Sequence, residues 1–484
     1  MIVKDTSKAQ LKDLSFVALF SLIVGSMMGS GVFDVPQNVA HQAGVIAVSL
    51  GWVITAIGVL ALSWAFAYIT NHRPDIQSGI YGYAKYGFGD YVGFNSAWGY
   101  ALNALLANAS YLIYICATLG NFALFKFLGN GNSVSALIVE SALIWLVYYL
   151  VRQGIREASI VNILITIIKV MVLASIILVF LVAFNWTKFR SNLALEVHLG
   201  SLFTQVKSTM LVTVWDFTGI EAACIFALRA KSMRDVVKAT MLAAVAVCLI
   251  TSLISILPFG ILSAGEIRQL ATPSSAGILA HLYGEASGNW IRAAVVVSVL
   301  GALLAWTMLA SNMFYLAAED QTMPKLFTQL NAKNVPINAL KISSIAAQLF
   351  IILAFFTNAV YLAMIQLATS LILLPYLLSA LFALKLIITE GKIDRLSFLK
   401  GILAVIYGIW LVYSGGMKFL ALSSFLYLLG SIFYFIARKE QAKTMFANKF
   451  ELGLFILLIV ITLMAGADWL LALSHGQAWS LLAT

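Results

Sequence analysis

The sequence predicts an all-α integral membrane protein of about 12 or 13 spans, with its first and sixth spans interrupted in mid-membrane. Three observations carry this. Of 484 residues, 62% are hydrophobic and only 10% charged, against about 25% charged in ordinary soluble domains. The apolar residues fall into successive stretches of about 20, the length that crosses the hydrocarbon core of a bilayer. Two of these stretches carry glycine, and one also proline, where a spanning helix should be continuous: "GSMMGSGVFDVPQN" at 25–38 and "VTVWDFTGIEAACIF" at 212–226.

Taken in order, the apolar stretches predict helices near 14–40, 44–70, 90–120, 134–151 and 155–184. A second group of five follows near 206–228, 236–263, 287–317, 339–358 and 360–386, and a third group near 398–415, 417–437 and 452–473. Residues 1–13 read as a polar tail, 14–386 as a ten-helix core and 387–484 as accessory membrane helices. No stretch reads as a soluble domain; the longest polar connection, near 185–205, is short for one.

Orientation follows from the basic residues, because short cytoplasmic loops hold the excess of lysine and arginine. Lys4, Lys8 and Lys12 precede the first span, and the even-numbered connections hold Arg152, Arg156, Arg229, Lys231, Arg234, Lys238, Lys325, Lys333 and Lys341. Lys385, Lys392, Arg395 and Lys400, then Arg438, Lys439, Lys443 and Lys449, continue the alternation. The expected N-terminus is therefore cytoplasmic, and the net charge of +10 reflects topology rather than a nucleic-acid surface. The first span is too long for the apolar core of a signal peptide and no cleavage site follows a short one, so no removal of a leader is expected. Cys116, Cys224 and Cys248 all fall in apolar helices, which predicts packing rather than disulfides or a metal cluster.

Ionisable groups within spans carry the functional signal, since each costs roughly 3 kcal/mol or more at the bilayer centre. They are Asp34, Glu140, Lys169, Asp216, Glu221 and Asp468, of which Glu140 and Asp468 read as structural. Interrupting a helix in lipid strips backbone groups of their partners, so a break persists only where a cavity or ligand satisfies them. Breaks in the opening spans of two five-helix groups are the sequence pointer to an inverted-repeat carrier with a midplane site. The N–H groups of Gly29, Ser30 and Gly31 would face an anion and the freed carbonyls an ammonium. Close helix packing is the competing reading of the small residues Gly25, Ser26, Gly29 and Gly31; Pro36 and the matching break at Gly219 favour a binding site.

The same stretches resemble a known family. "GSMMGSGVFDVPQN" resembles the first helix of amino acid-polyamine-organocation transporters, and its QN resembles the arginine/ornithine and arginine/agmatine antiporters among the basic amino acid/polyamine antiporters. "SGIYGYAKYGFGDYVGF" (78–94), "VTVWDFTGIEAACIFALRAKSMRDVVKAT" (212–240), "GALLAWTMLASNMFYLAAEDQTMPKLF" (301–327) and "ATSLILLPYL" (368–377) are similar to the family's third-helix entry and its sixth, eighth and tenth helices. The resemblance runs over about residues 12–390. It implies a LeuT-like 5+5 inverted repeat with discontinuous helices 1 and 6, working by alternating access. It further implies Gly29, Ser30 and Gly31 at the substrate carboxylate, Asn108 at a guanidinium, Trp306 stacked on that guanidinium and Trp215 covering the substrate. Tyr100, Glu221 and Tyr376 would form a cytoplasmic-side gate.

Stacking a weakly hydrated guanidinium on indole is worth roughly 2 kcal/mol in a desolvated site, whereas anchoring at the lipid interface is the commoner use of tryptophan. Glu221 reads as a gating or proton-linked group, or as a tie between its broken helix and a neighbour such as Tyr100. Lys169 resembles a lysine of sodium-independent members, and reads either as a proton carrier or as a fixed charge joining helices one, five and eight. Asp34 and Asp216 depart from the family pattern; each would either draw cations into the vestibule or, respectively, sit on an exposed helix turn and accept from a backbone donor.

The expectation is an antiporter of a bacterial inner membrane exchanging external arginine for ornithine or agmatine. The alternative is a proton-coupled uniporter or symporter for cationic amino acids or polyamines. No enzymatic activity, cofactor, metal or nucleic-acid partner is expected; the partners are small cations and the lipid bilayer, with homo-oligomerisation left open.

Overall fold

The computed structural model describes residues 14–474, apart from Gln77, Leu195, 358–360 and 390–393. The predicted polar tail at 1–13 lies outside the described residues, as do 475–484 and the side chain of Asp468. Most of the described residues are helical. In order come α1 (Phe16–Met27), α2 (Gly31–Gln42), α3 (Val45–His72), α4 (Gly79–Phe88), α5 (Asp90–Gly120), α6 (Val134–Arg152), α7 (Ile155–Ala183), α8 (Trp186–Ser191) and α9 (Leu202–Trp215). Then follow α10 (Ala222–Ile225), α11 (Met233–Ile256), α12 (Ala264–Arg268), α13 (Ser274–Tyr283), α14 (Glu285–Glu319), α15 (Ile337–Thr357), α16 (Tyr361–Thr389), α17 (Arg395–Glu440) and α18 (Lys449–Ser474). Among the described residues, 11 helices are long and apolar enough to cross a membrane.

Two further spans follow from geometry. The α9–α10 segment is broken into pieces each too short to qualify alone. The 46-residue α17 contains Gly416 at φ 73°, ψ 161°, a region only glycine enters readily. Its first half packs Gly401 on Ile387 and Gly408 on Leu377. Its second half returns: Tyr427 donates to the Leu371 carbonyl (2.6 Å) and Arg438 pairs with Asp90 (2.7 Å). Asp90 adjoins Gly87, whose carbonyl accepts from Lys385 at 2.7 Å. Both ends of α17 thus sit at one end of the bundle, and the segment is a hairpin of two spans split where the sequence separates 398–415 from 417–437.

The two interrupted spans run antiparallel, side by side. Leu14 exchanges backbone hydrogen bonds with Arg229 and Lys231 (both 3.0 Å). At the other end the Gly44 N–H donates to Gln205 Oε1 (2.9 Å), and α2 packs on α9. A second correspondence lies beside them. The short α4 joins the long α5 through Gly89 (φ 116°, ψ 173°), and the short α13 joins the long α14 through Gly284 (φ 87°, ψ 168°). α4 packs on α10 at one end of the broken pair and α13 on α2 at the other. The same helix–glycine–helix corner therefore occurs twice, at opposite ends of the bundle.

The short helices α4, α8, α12 and α13 are absent from the sequence expectation, which starts its third helix only near 90, reads 185–205 as a polar connection and leaves 264–286 unassigned. None is long enough to give an apolar run of spanning length.

Candidate functional site

Breaking α1 from α2 leaves the terminal carbonyls of α1 and the first N–H groups of α2 without helical partners. The carbonyls are met from the side by α7 and α14. Lys169 Nζ donates to the Gly25 carbonyl (3.0 Å) and Trp306 Nε1 to Ser26 (3.0 Å), while Asn162 Nδ2 reaches the Ser21 carbonyl one turn back within α1 (3.1 Å). Glycine is required at 25 for this approach, since a Cβ there would stand 2.9 Å from the Asn162 amide. The first turn of α2 has no such help: Ser30 is its N-cap residue and makes no side-chain cap bond. The Gly29 N–H is given to the Met27 carbonyl (3.0 Å) and that of Phe33 to Ser30 (3.2 Å), which leaves the donors of Ser30, Gly31 and Val32 at the positive end of a helix dipole.

The second break lies against the first. Ser26 Oγ donates to the Gly219 carbonyl at 3.3 Å. Gly219 has φ 104°, and a Cβ on it would collide with Ser26. At the far side of the break, a Cβ on Gly31 would run into the Asp216 carboxylate and the Trp215 indole. The two discontinuities thus meet in the protein interior: Ser30, Asp216, Glu221, Trp215 and Trp306 are all at most 2% exposed.

The aromatic lining places the tryptophans inside the protein. Trp306 is fully buried with its ring 5.7 Å from that of Tyr100, so anchoring at a lipid interface does not apply to it. Trp215 lies 6.0 Å from the Tyr111 ring at 51°. Asn108 donates to Thr307 Oγ1 on α14 (3.2 Å), while its carbonyl oxygen has no partner among the described residues.

At the α10 end, Tyr376 OH donates to Glu221 Oε2 at 2.7 Å. Tyr376, rather than Tyr100, holds this carboxylate. Tyr100 OH and Glu221 Oε1 are both buried without a hydrogen-bond partner among the described residues. Cys224 and Asn312 complete this end, Asn312 Nδ2 donating to the Ile225 carbonyl at 3.2 Å. Lys169 has no carboxylate partner among the described residues, and α7, α1 and α14 pack mutually around it.

Asp34 is corrected by the structure. It is 1% exposed rather than on an open turn, and it accepts from the Ser274 N–H at 2.6 Å. A carboxylate on the first turn of α13 is capping chemistry, favoured by the helix dipole. Ser274 Oγ and Ser275 Oγ both donate to the Phe33 carbonyl (3.3 and 2.8 Å), so α2 and α13 are tied by three hydrogen bonds. A backbone donor does not take up Asp216: both its oxygens are buried with no partner among the described residues.

Two tyrosines missing from the sequence expectation line the first break. Tyr111 lies over Gly29, where a Cβ would meet its ring at 2.8 Å, and Tyr361 OH is hydrogen-bonded to Ser30 Oγ. Tyr111 could have been found, because it follows Asn108 by three residues and so shares its face of α5. Tyr361, at the start of α16, left no such signal. Beyond Tyr361 a cavity of about 520 Å³ opens, lined by Tyr114, Asn130, Glu140 and Thr272 among others.

A multi-span helical protein whose paired breaks meet among buried polar and aromatic side chains is a membrane transport protein rather than an enzyme. The chain belongs to the amino acid permease family, whose model matches residues 14–467. It is 40% identical over 456 residues to the arginine/ornithine antiporter of Pseudomonas aeruginosa, covering 91% of this chain and 94% of that one. It is 37% identical to the arginine/agmatine antiporter of Chlamydia felis (93% and 95% covered) and 36% identical to the L-lysine transport protein of Corynebacterium glutamicum (93% and 94%).

Proposed function

We propose that the chain is an arginine antiporter, exchanging external arginine for a cationic product of its metabolism by alternating access. The observation that carries this reading is the meeting of the two breaks, which sets the start of α2 against Asp216 and the Trp215 ring in the protein interior. The names of the relatives supply the substrate. In this reading residues 14–386 form two inverted five-helix repeats, and the rest of the chain flanks them. Gly29, Ser30 and Gly31 take the substrate carboxylate, Asn108 and Trp306 the guanidinium, and Trp215 covers it. Tyr100, Glu221 and Tyr376 hold the cytoplasmic-side gate shut. Lys169 puts its ammonium where a bound cation would otherwise steady α1, so sodium is not required. The N-terminus faces the cytoplasm of a bacterial inner membrane.

The antiport coupling comes from a slow return of the empty carrier. Proteoliposomes loaded in turn with ornithine, agmatine, lysine or arginine should take up labelled arginine from outside, and unloaded vesicles should not. Equal uptake into unloaded vesicles would sink the exchange reading. Trp306→Leu should weaken arginine binding roughly tenfold or more, from loss of about 2 kcal/mol of stacking.

A further inference from the structure

We propose that Asp216 makes this pocket prefer a cationic amine to the amino acid with the same side chain, so that the substrate carried outward in exchange for arginine is an amine. The inference rests on the reading above and decides between its two exchange products.

Three observations lead there. Asp216 follows the last residue of α9, the negative end of that helix, and both its carboxylate oxygens are buried with no partner among the described residues. A buried acid left without a protein partner in a membrane protein is expensive and marks a cation's path. The carboxylate fronts Gly31, and with it the N–H donors that would receive a substrate carboxylate. Beside it stand Trp215 and, across from Trp215, the Tyr111 ring, two faces suited to an ammonium. The remaining side-chain donor of the cradle is engaged, since Ser30 Oγ is hydrogen-bonded to Tyr361 OH.

A charge at this point responds to the net charge of the head group. An α-amino acid offers an ammonium and a carboxylate that cancel, and its carboxylate must sit close to Asp216. The corresponding amine offers the ammonium alone, with attraction to Asp216 uncancelled in a low-dielectric site. Arginine and agmatine differ in this one group, as do ornithine and 1,4-diaminobutane, so each pair isolates the effect of the carboxylate.

The test measures competition of these four compounds against labelled arginine in counterflow, and their stabilisation of the purified full-length protein against heat. In the wild type, each amine should compete at least about tenfold better than its amino acid. Asp216→Asn should bring both ratios to within about threefold of one, mainly by weakening the amines, and Asp216→Glu should keep the preference. Amino acids competing as well as their amines in the wild type would overturn the inference. So would an Asp216→Asn protein with unchanged ratios, the result expected if Asp216 only supports the fold. If Asp216→Asn does not fold, the wild-type ratios decide alone. Absence of labelled arginine exchange with heat stabilisation still graded toward the amines would remove the arginine antiport reading and leave this one standing.

Discussion

At the scale of single residues, the site is built from groups that each answer a deficit left by a broken helix. Trp306 and Lys169 give donors to carbonyls that α1 can no longer satisfy internally. Tyr376 does the same for an acid, donating to Glu221 at 2.7 Å. Tyr376→Phe would leave both oxygens of that buried carboxylate without a donor, a cost of about 1–3 kcal/mol or somewhat more for a charged group. The variant should unfold at lower temperature and exchange more slowly. Adding Glu221→Gln should recover part of the lost stability, because the unpaired charge goes with it. A double variant whose loss equals the sum of the two single losses would show that the pair is not coupled. The acids and the lysine were legible because their charge is anomalous in an apolar stretch. Their partners were not: Asp34 with Ser274, or Ser30 with Tyr361, are contacts across hundreds of residues that no local pattern specifies.

At the scale of elements, glycine separates two kinds of interruption. Gly219 and Gly416 both have positive φ, at 104° and 73°. Gly416 turns a hairpin in open space, with nothing within 4 Å of where a Cβ would stand, whereas at Gly219 the Cβ would strike Ser26. Gly416→Ala therefore carries only backbone strain, about 1–3 kcal/mol, and should keep exchange activity. Gly219→Ala adds an overlap between the two breaks, with a further cost of roughly 1–3 kcal/mol. It should lower the unfolding temperature more and abolish counterflow. Equal activity of the two variants would contradict the close contact of the breaks. The breaks themselves were readable from sequence because lipid forbids unsatisfied backbone. The corners at Gly89 and Gly284 were not, because α4 and α13 at ten residues each fall below the apolar run that marks a span.

At the scale of the whole molecule, the number of spans fixes which faces share a side of the membrane. A continuous α17 of 46 residues would be about 70 Å long at 1.5 Å per residue, more than twice a hydrocarbon core of about 30 Å. The return at Gly416 resolves this by giving two crossings, with Lys400 and Lys439 near one membrane surface and Lys418 near the other. The pairing of Arg438 with Asp90 ties that hairpin to the start of α5. Native Cys116, Cys224 and Cys248 are buried, so they leave a low background for labelling. Single cysteines replacing Lys400 and Lys439 should react with an impermeant maleimide from the same side, and one replacing Lys418 from the opposite side. In the proposed orientation the first two face the cytoplasm and are protected in intact cells. Labelling of Lys400→Cys and Lys439→Cys from opposite sides would require an odd number of crossings between them, leaving the hairpin and the thirteen-span topology without support.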